Sequence, residues 1–136
     1  MVKLPRPVPL EPPSAADIEA LAQEAFSTIP EHLARHTEGV VIRIDEFPDS
    51  ETCDEMGLQS AFDILGLYRG VSIDRKSTSD SGALPDMIFL YRRPILEYWV
   101  ETGEPLFDIV RHVLIHEIGH HFGLSDAEME RIEHQS

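Results

Sequence analysis

The chain has 136 residues, room for one domain around a single modest core, and its 42% hydrophobic content is that of a globular rather than a disordered sequence. With 25 acidic against 11 basic residues the formal net charge is −14. That field repels phosphate backbones and anionic lipid, which excludes nucleic-acid and membrane-surface partners, and it suits cationic or unfolded polypeptides. Cys53 is the only cysteine, so no internal disulfide and no cysteine-based zinc knuckle can form, and a reducing cytoplasm is the expected setting. No apolar run is long enough for a membrane span, and the N-terminus lacks the continuous apolar stretch of a signal sequence.

Residues 1–13 carry five prolines and read as an extended arm, leaving residues 14–136 as the folded domain. Ser14 followed by Asp17 is a capping box that opens an amphipathic helix. Its apolar stripe is Ile18, Leu21, Ala25, Phe26 and Ile29, and Pro30 stops it. Gly39 leads into a β-branched strand, Val40 to Ile44. A short helix is expected from Pro48-Asp49-Ser50 to Met56, ahead of Gly57. Leu65 to Ile73 reads as a glycine-punctuated strand or turn, and Ser77 to Pro85 as a polar loop. Met87 to Tyr91 is the clearest strand, ended by Pro94, with a short helical piece over Ile95 to Val100.

Leu106 to Phe122 then forms the longest helix, with Pro105 tolerated at its opening and Glu104 and Asp108 suited to the dipole there. Leu106, Phe107, Ile109, Val110, Val113, Leu114, Ile115, Ile118 and Phe122 cover nearly every side of it, the pattern of a buried helix. Within it, His116 and His120 are four residues apart and can share one ion from one face. Glu117 sits on the flank of that face, where a base can reach water beside the ion. Gly123 can end the helix in a left-handed conformation and reverse the chain, bringing Asp126 within reach as a third ligand. Three protein ligands and an open position make a catalytic zinc site.

The stretch His116-Glu117-Ile118-Gly119-His120-His121-Phe122-Gly123-Leu124-Ser125-Asp126 resembles the extended zincin motif HExxHxxGxx(H/D), with aspartate in the last place. More narrowly, the tail HEIGHHFGLSDAEME, preceded by LYRRPI, is similar to a family of small bacterial zincin-like metallopeptidases, a likeness that runs from Leu65 onward. It implies an α+β fold: a compact zincin-like domain whose small mixed β-sheet packs on a central buried active-site helix. It also implies a zinc-dependent peptidase that uses a Zn2+ cofactor and acts on peptide or unfolded polypeptide. By that likeness His116, His120 and Asp126 are the metal ligands and Glu117 the catalytic base. The pattern departs from metzincins at the methionine. Met129 falls in a helix begun by Ser125 and boxed by Glu128, not in a separate turn beneath the metal.

Other readings stand beside these. Asp126 can serve as a helix-dipole residue, with Glu128 and Glu130 as rival ligands. Glu117 can pair with Arg111. His112 reads as a packing histidine, the His32 and His36 pair as surface, and His121 points away from His120. Tyr91 and Tyr98 are aromatic packing residues that could also donate to a transition state. A non-catalytic, zinc-stabilised binding or regulatory module is the alternative to the enzyme, and hydrolysis of a non-peptide amide is a third reading.

Overall fold

The computed structural model describes residues 11–70 and 85–134. Most of the proline-rich arm, the end of the Leu65–Ile73 stretch and nearly all of the Ser77–Pro85 loop lie outside the described residues.

Helix α1 (Ala15–Ser27) begins where the capping box predicts: Ser14 Oγ accepts from the Asp17 N–H, and Asp17 accepts from the Ser14 N–H. It buries Ile18, Ala22 and Ala25, so the fully enclosed stripe runs through Ala22, with Leu21 only half-buried beside it. Pro30 opens a short α2 (Glu31–Ala34), which passes into a 3-10 turn at Arg35–Thr37. Strand β1 (Val41–Asp45) and helix α3 (Ser50–Met56) follow, the latter capped by Asp49 and closed by Gly57. Strand β2 (Gly66–Arg69) and strand β3 (Met87–Tyr91) complete a three-stranded sheet of order β1-β3-β2. β1 runs parallel to β3, with Val41 opposite Met87, and β2 runs antiparallel, with Tyr68 opposite Ile88.

β3 is therefore the middle strand, paired on both sides, and no substrate can add to it as a neighbouring strand. Its Ile88 and Leu90 are fully buried toward the helices. Helix α4 (Arg92–Thr102) starts directly after β3, longer than the piece expected from Ile95. Pro94 lies in its first turn, where a missing N–H costs nothing, so that proline does not separate strand from helix.

Helix α5 (Leu106–His121) is the centre of the domain and packs against α1, β2, β3, α4 and the last helix, α6 (Asp126–Glu133). Ile109, Val110, Val113, Leu114, Ile115 and Ile118 form its buried side. It is not enclosed all round: Asp108, His112 and His120 are exposed, and together with half-buried His116 they make an opening at four-residue spacing. The sheet lies close enough that a Cβ at Gly66 would stand 2.6 Å from Val113 Cγ1, which makes glycine the only fit there. Gly123, with φ at 75°, lets the chain turn from α5 into α6.

Candidate metal centre

The histidine face of α5 meets the C-terminal end of α6. His116 Nε2 lies 2.8 Å from Glu133 Oε1, and His112 Nδ1 approaches the same oxygen. The two imidazole rings are stacked, 4.0 Å between centroids, as expected of side chains one turn apart. Donor atoms of His112, His116 and Glu133 all fall within 4.8 Å of one another. The oxygen that both rings approach is buried, yet no hydrogen-bond donor is aligned on it among the described residues. A buried carboxylate oxygen in that state is costly unless a positive partner reaches it, either a proton on the imidazole at 2.8 Å or a metal ion held between the three groups.

Arg111 fixes the end of α6 that carries Glu133. Its guanidinium donates to the carbonyls of Glu133 at 2.8 Å and Ile132 at 3.3 Å, and to Thr28 Oγ1 at 2.8 Å. α1, α5 and α6 are thus clasped by one side chain. His112 is not a packing histidine, since half of its side chain (53%) is exposed.

His116 is the more sheltered ring, and burial holds its imidazole below the usual histidine range. Neighbouring His112 adds to that, while the Glu133 carboxylate pulls the other way. The neutral ring keeps a lone pair for a metal. The His120 ring stands edge-on to it at 5.8 Å and is exposed.

Glu117 points to the sheet side of the same helix. Its Oε1 accepts the Tyr68 N–H at 3.2 Å. In the antiparallel register, Leu67 exchanges ladder bonds with Phe89, so the Tyr68 N–H is turned to the outer edge of β2, where α5 lies. Burial pushes the Glu117 carboxyl above the usual glutamate range, against the opposing effects of the Tyr68 N–H and of His120. A crevice of about 190 Å³ opens beside it, bounded by Leu65, Gly66, Val113, His112 and His116. Tyr68 also stacks on His121 at 3.9 Å and donates its hydroxyl to Asp86 at 2.9 Å.

The motif's own trio is arranged differently. Asp126 occupies the exposed first turn of α6, behind the Ser125–Glu128 capping box. Its carboxylate is not drawn within 4.8 Å of both His116 and His120. Beneath the motif, fully buried Met129 lies against Gly119, between the two histidines in sequence. Tyr91 and Tyr98 are elsewhere: Tyr91 faces a cleft with Asp45 and Asp49, where burial and those carboxylates push its hydroxyl up to about 12. The tyrosine at the site is Tyr68, which no sequence signal singled out.

The model of the zincin-like metallopeptidase family matches residues 37–136. The chain belongs to that family. No curated protein matches the chain. The zincin-like match begins well before Leu65, taking in β1 and α3 as well as every residue of the candidate metal centre. Only α1 and α2, of the described elements, fall ahead of it. This zincin-like domain has no helix, among the described residues, long and apolar enough to cross a membrane.

Proposed function

We propose that this zincin-like chain is a zinc-dependent peptidase in which His116 anchors the ion and Glu117 moves the proton. The observation that supports this reading best is the convergence of a sheltered, neutral imidazole and an unsatisfied carboxylate oxygen, one helical step from a base lifted by burial. Two imidazoles with one carboxylate are a donor set that zinc takes in hydrolytic sites. Zinc, when bound, polarises a carbonyl oxygen and makes water more acidic.

The motif assigns His120 and Asp126 as the other two ligands, and this is the first reading. The gathering of His112 and Glu133 around His116 favours a second ligand set built on the same histidine. Either set leaves Glu117 outside the coordination sphere. There its role is proton transfer: the Tyr68 N–H orients the carboxyl, and its raised affinity for a proton lets it take one from attacking water and return it to the leaving amine. Because that N–H belongs to the outer strand of the sheet, an extended polypeptide passing β2 would run alongside the base. Substrate is thus expected at β2 rather than β3.

The test is Glu117→Gln. It keeps the size and an acceptor for the Tyr68 N–H but removes the base. Zinc content and folding should stay near wild type, while hydrolysis in a proteome-derived peptide screen falls by roughly 10²–10⁴-fold. A wild-type, zinc-loaded chain that cleaves no peptide in that screen would instead make the domain a zinc-stabilised binding module.

A further inference from the structure

A second cleft lies beyond the C-terminal end of α5, between the α2 segment and α6, with a volume of about 430 Å³. Its floor is apolar: Leu33 and Ile132 are nearly fully buried, and Phe122 offers a ring that is 38% exposed. Its rim is cationic. Arg35 enters from the 3-10 turn and Arg131 from α6, with the His32 and His36 imidazoles alongside. The acidic group on the rim, Glu128, is engaged by its own helix cap, where Oε1 accepts from Ser125 N and Oγ.

In a chain of net charge −14, uncommitted cations are scarce. Among the described arginines, Arg43, Arg69 and Arg92 are paired with Asp45, Glu55 and Glu46. Arg111 clasps the α6 carbonyls and Arg93 sits over the Phe47 ring. Arg35 and Arg131 form no ion pair among the described residues, and both face the same cleft. The cleft is also joined to the metal centre: His36 packs on Phe122 at 5.3 Å, and Phe122 meets the edge of Tyr68, whose N–H holds Glu117.

We infer that this cleft binds a carboxylate carried next to an apolar side chain on the polypeptide that the metal centre acts on. The inference rests on the peptidase reading for the identity of its ligand as substrate, but the binding itself does not. An apolar side chain covers Leu33 and Ile132, and the carboxylate reaches Arg35 or Arg131 through charge-assisted hydrogen bonds. The two arginines stand on separate elements, so they can accept the carboxylate either from an acidic side chain or from a chain end. The cleft then selects acidic–apolar segments in spite of the protein's overall negative field, because at contact distance the local charge outweighs screened charges farther off.

The experiment titrates the full-length chain with three blocked peptides that share one leucine. One ends in amidated glutamate, one in amidated glutamine, and one at the leucine with a free carboxylate. Side-chain N–H signals of Arg35 and Arg131 report binding without requiring turnover. The glutamate or the free-carboxylate peptide should bind roughly tenfold more tightly than the glutamine peptide, and the preference should weaken with added salt. Whichever of the two binds better names the source of the carboxylate. Arg35→Gln combined with Arg131→Gln should erase the preference, and Arg35→Lys with Arg131→Lys should restore part of it, which separates lost charge from lost fold. Equal binding of glutamate and glutamine peptides, insensitive to salt, overturns the proposal. A chain that cleaves peptides but shows no carboxylate preference refutes the cleft alone. One that shows the preference but cleaves nothing keeps the cleft and refutes the peptidase.

Discussion

Gly119 sits inside the motif, and the structure makes a specific demand on its size. A Cβ placed there would stand 2.7 Å from Met129 Cγ, with Met129 Sδ closer still, and Met129 is fully buried. Carbon contacts are optimal at roughly 3.5–4.0 Å, so Gly119→Ala must displace the enclosed methionine side chain. Two effects oppose each other. Helix propensity favours alanine over glycine by about 1 kcal/mol in a helix interior. Overpacking a filled core costs about 1–3 kcal/mol. The second outweighs the first, and Gly119→Ala is expected to destabilise the domain by about 1 kcal/mol, a fall in Tm of roughly 3–5 °C for a chain of this size. Urea titration followed by circular dichroism measures it. The control is Met129→Ala, which alone should cost about 2–5 kcal/mol through the cavity it leaves. In that background Gly119→Ala fills space and should turn stabilising, giving a coupling of about 1–3 kcal/mol in the double-mutant cycle. If Gly119→Ala stabilised the wild-type chain by the full helix-propensity increment, the packing of Met129 beneath the motif would be wrong.

The remaining predictions address the ligands and their support. Under the motif reading, His120→Ala and Asp126→Asn should each weaken zinc retention by at least tenfold, roughly the lower end of what even outer-shell losses cost, while His112→Ala and Glu133→Gln leave it near wild type. Under the second ligand set the pattern reverses, so competition with a chelator distinguishes the two. Arg111→Gln should lower stability by about 1–3 kcal/mol in urea denaturation, because the carbonyls of Ile132 and Glu133 lose a charged donor. It should also loosen zinc binding only if Glu133 is a ligand. A variant with unchanged stability would show that the clasp between α5 and α6 contributes nothing.

What the sequence revealed was local. The Ser14 and Ser125 caps, the Asp49 start of α3 and the extent of α5 follow from side chains acting on their own backbone or one turn away. That His116 and His120 stand one turn apart on α5 was legible for the same reason, since a fixed helical spacing determines which side chains share a face. What stayed hidden depends on how elements meet. Glu133 reaches His116 because α6 folds back across α5 and Arg111 holds its end, and neither relation leaves a pattern in the chain. The part played by Tyr68 belongs to its backbone N–H, turned outward by the register of β2 on β3. The Met87–Tyr91 run announces burial but not pairing partners, so it could not show that β3 is central. The helix wheel of α5 counted apolar residues on every side, yet its histidine face opens and leaves His112 and His120 exposed.

His116 is common to both ligand sets, so the proposed metal ion is anchored there in either. The most direct test is the zinc content of purified, full-length chain measured by elemental analysis, wild type beside His116→Ala, with folding checked in both. Close to one zinc per wild-type chain is expected and almost none in His116→Ala, with a lower melting temperature once the ion is gone. Full zinc occupancy in a folded His116→Ala chain would contradict that anchoring, by placing the ion away from this helix.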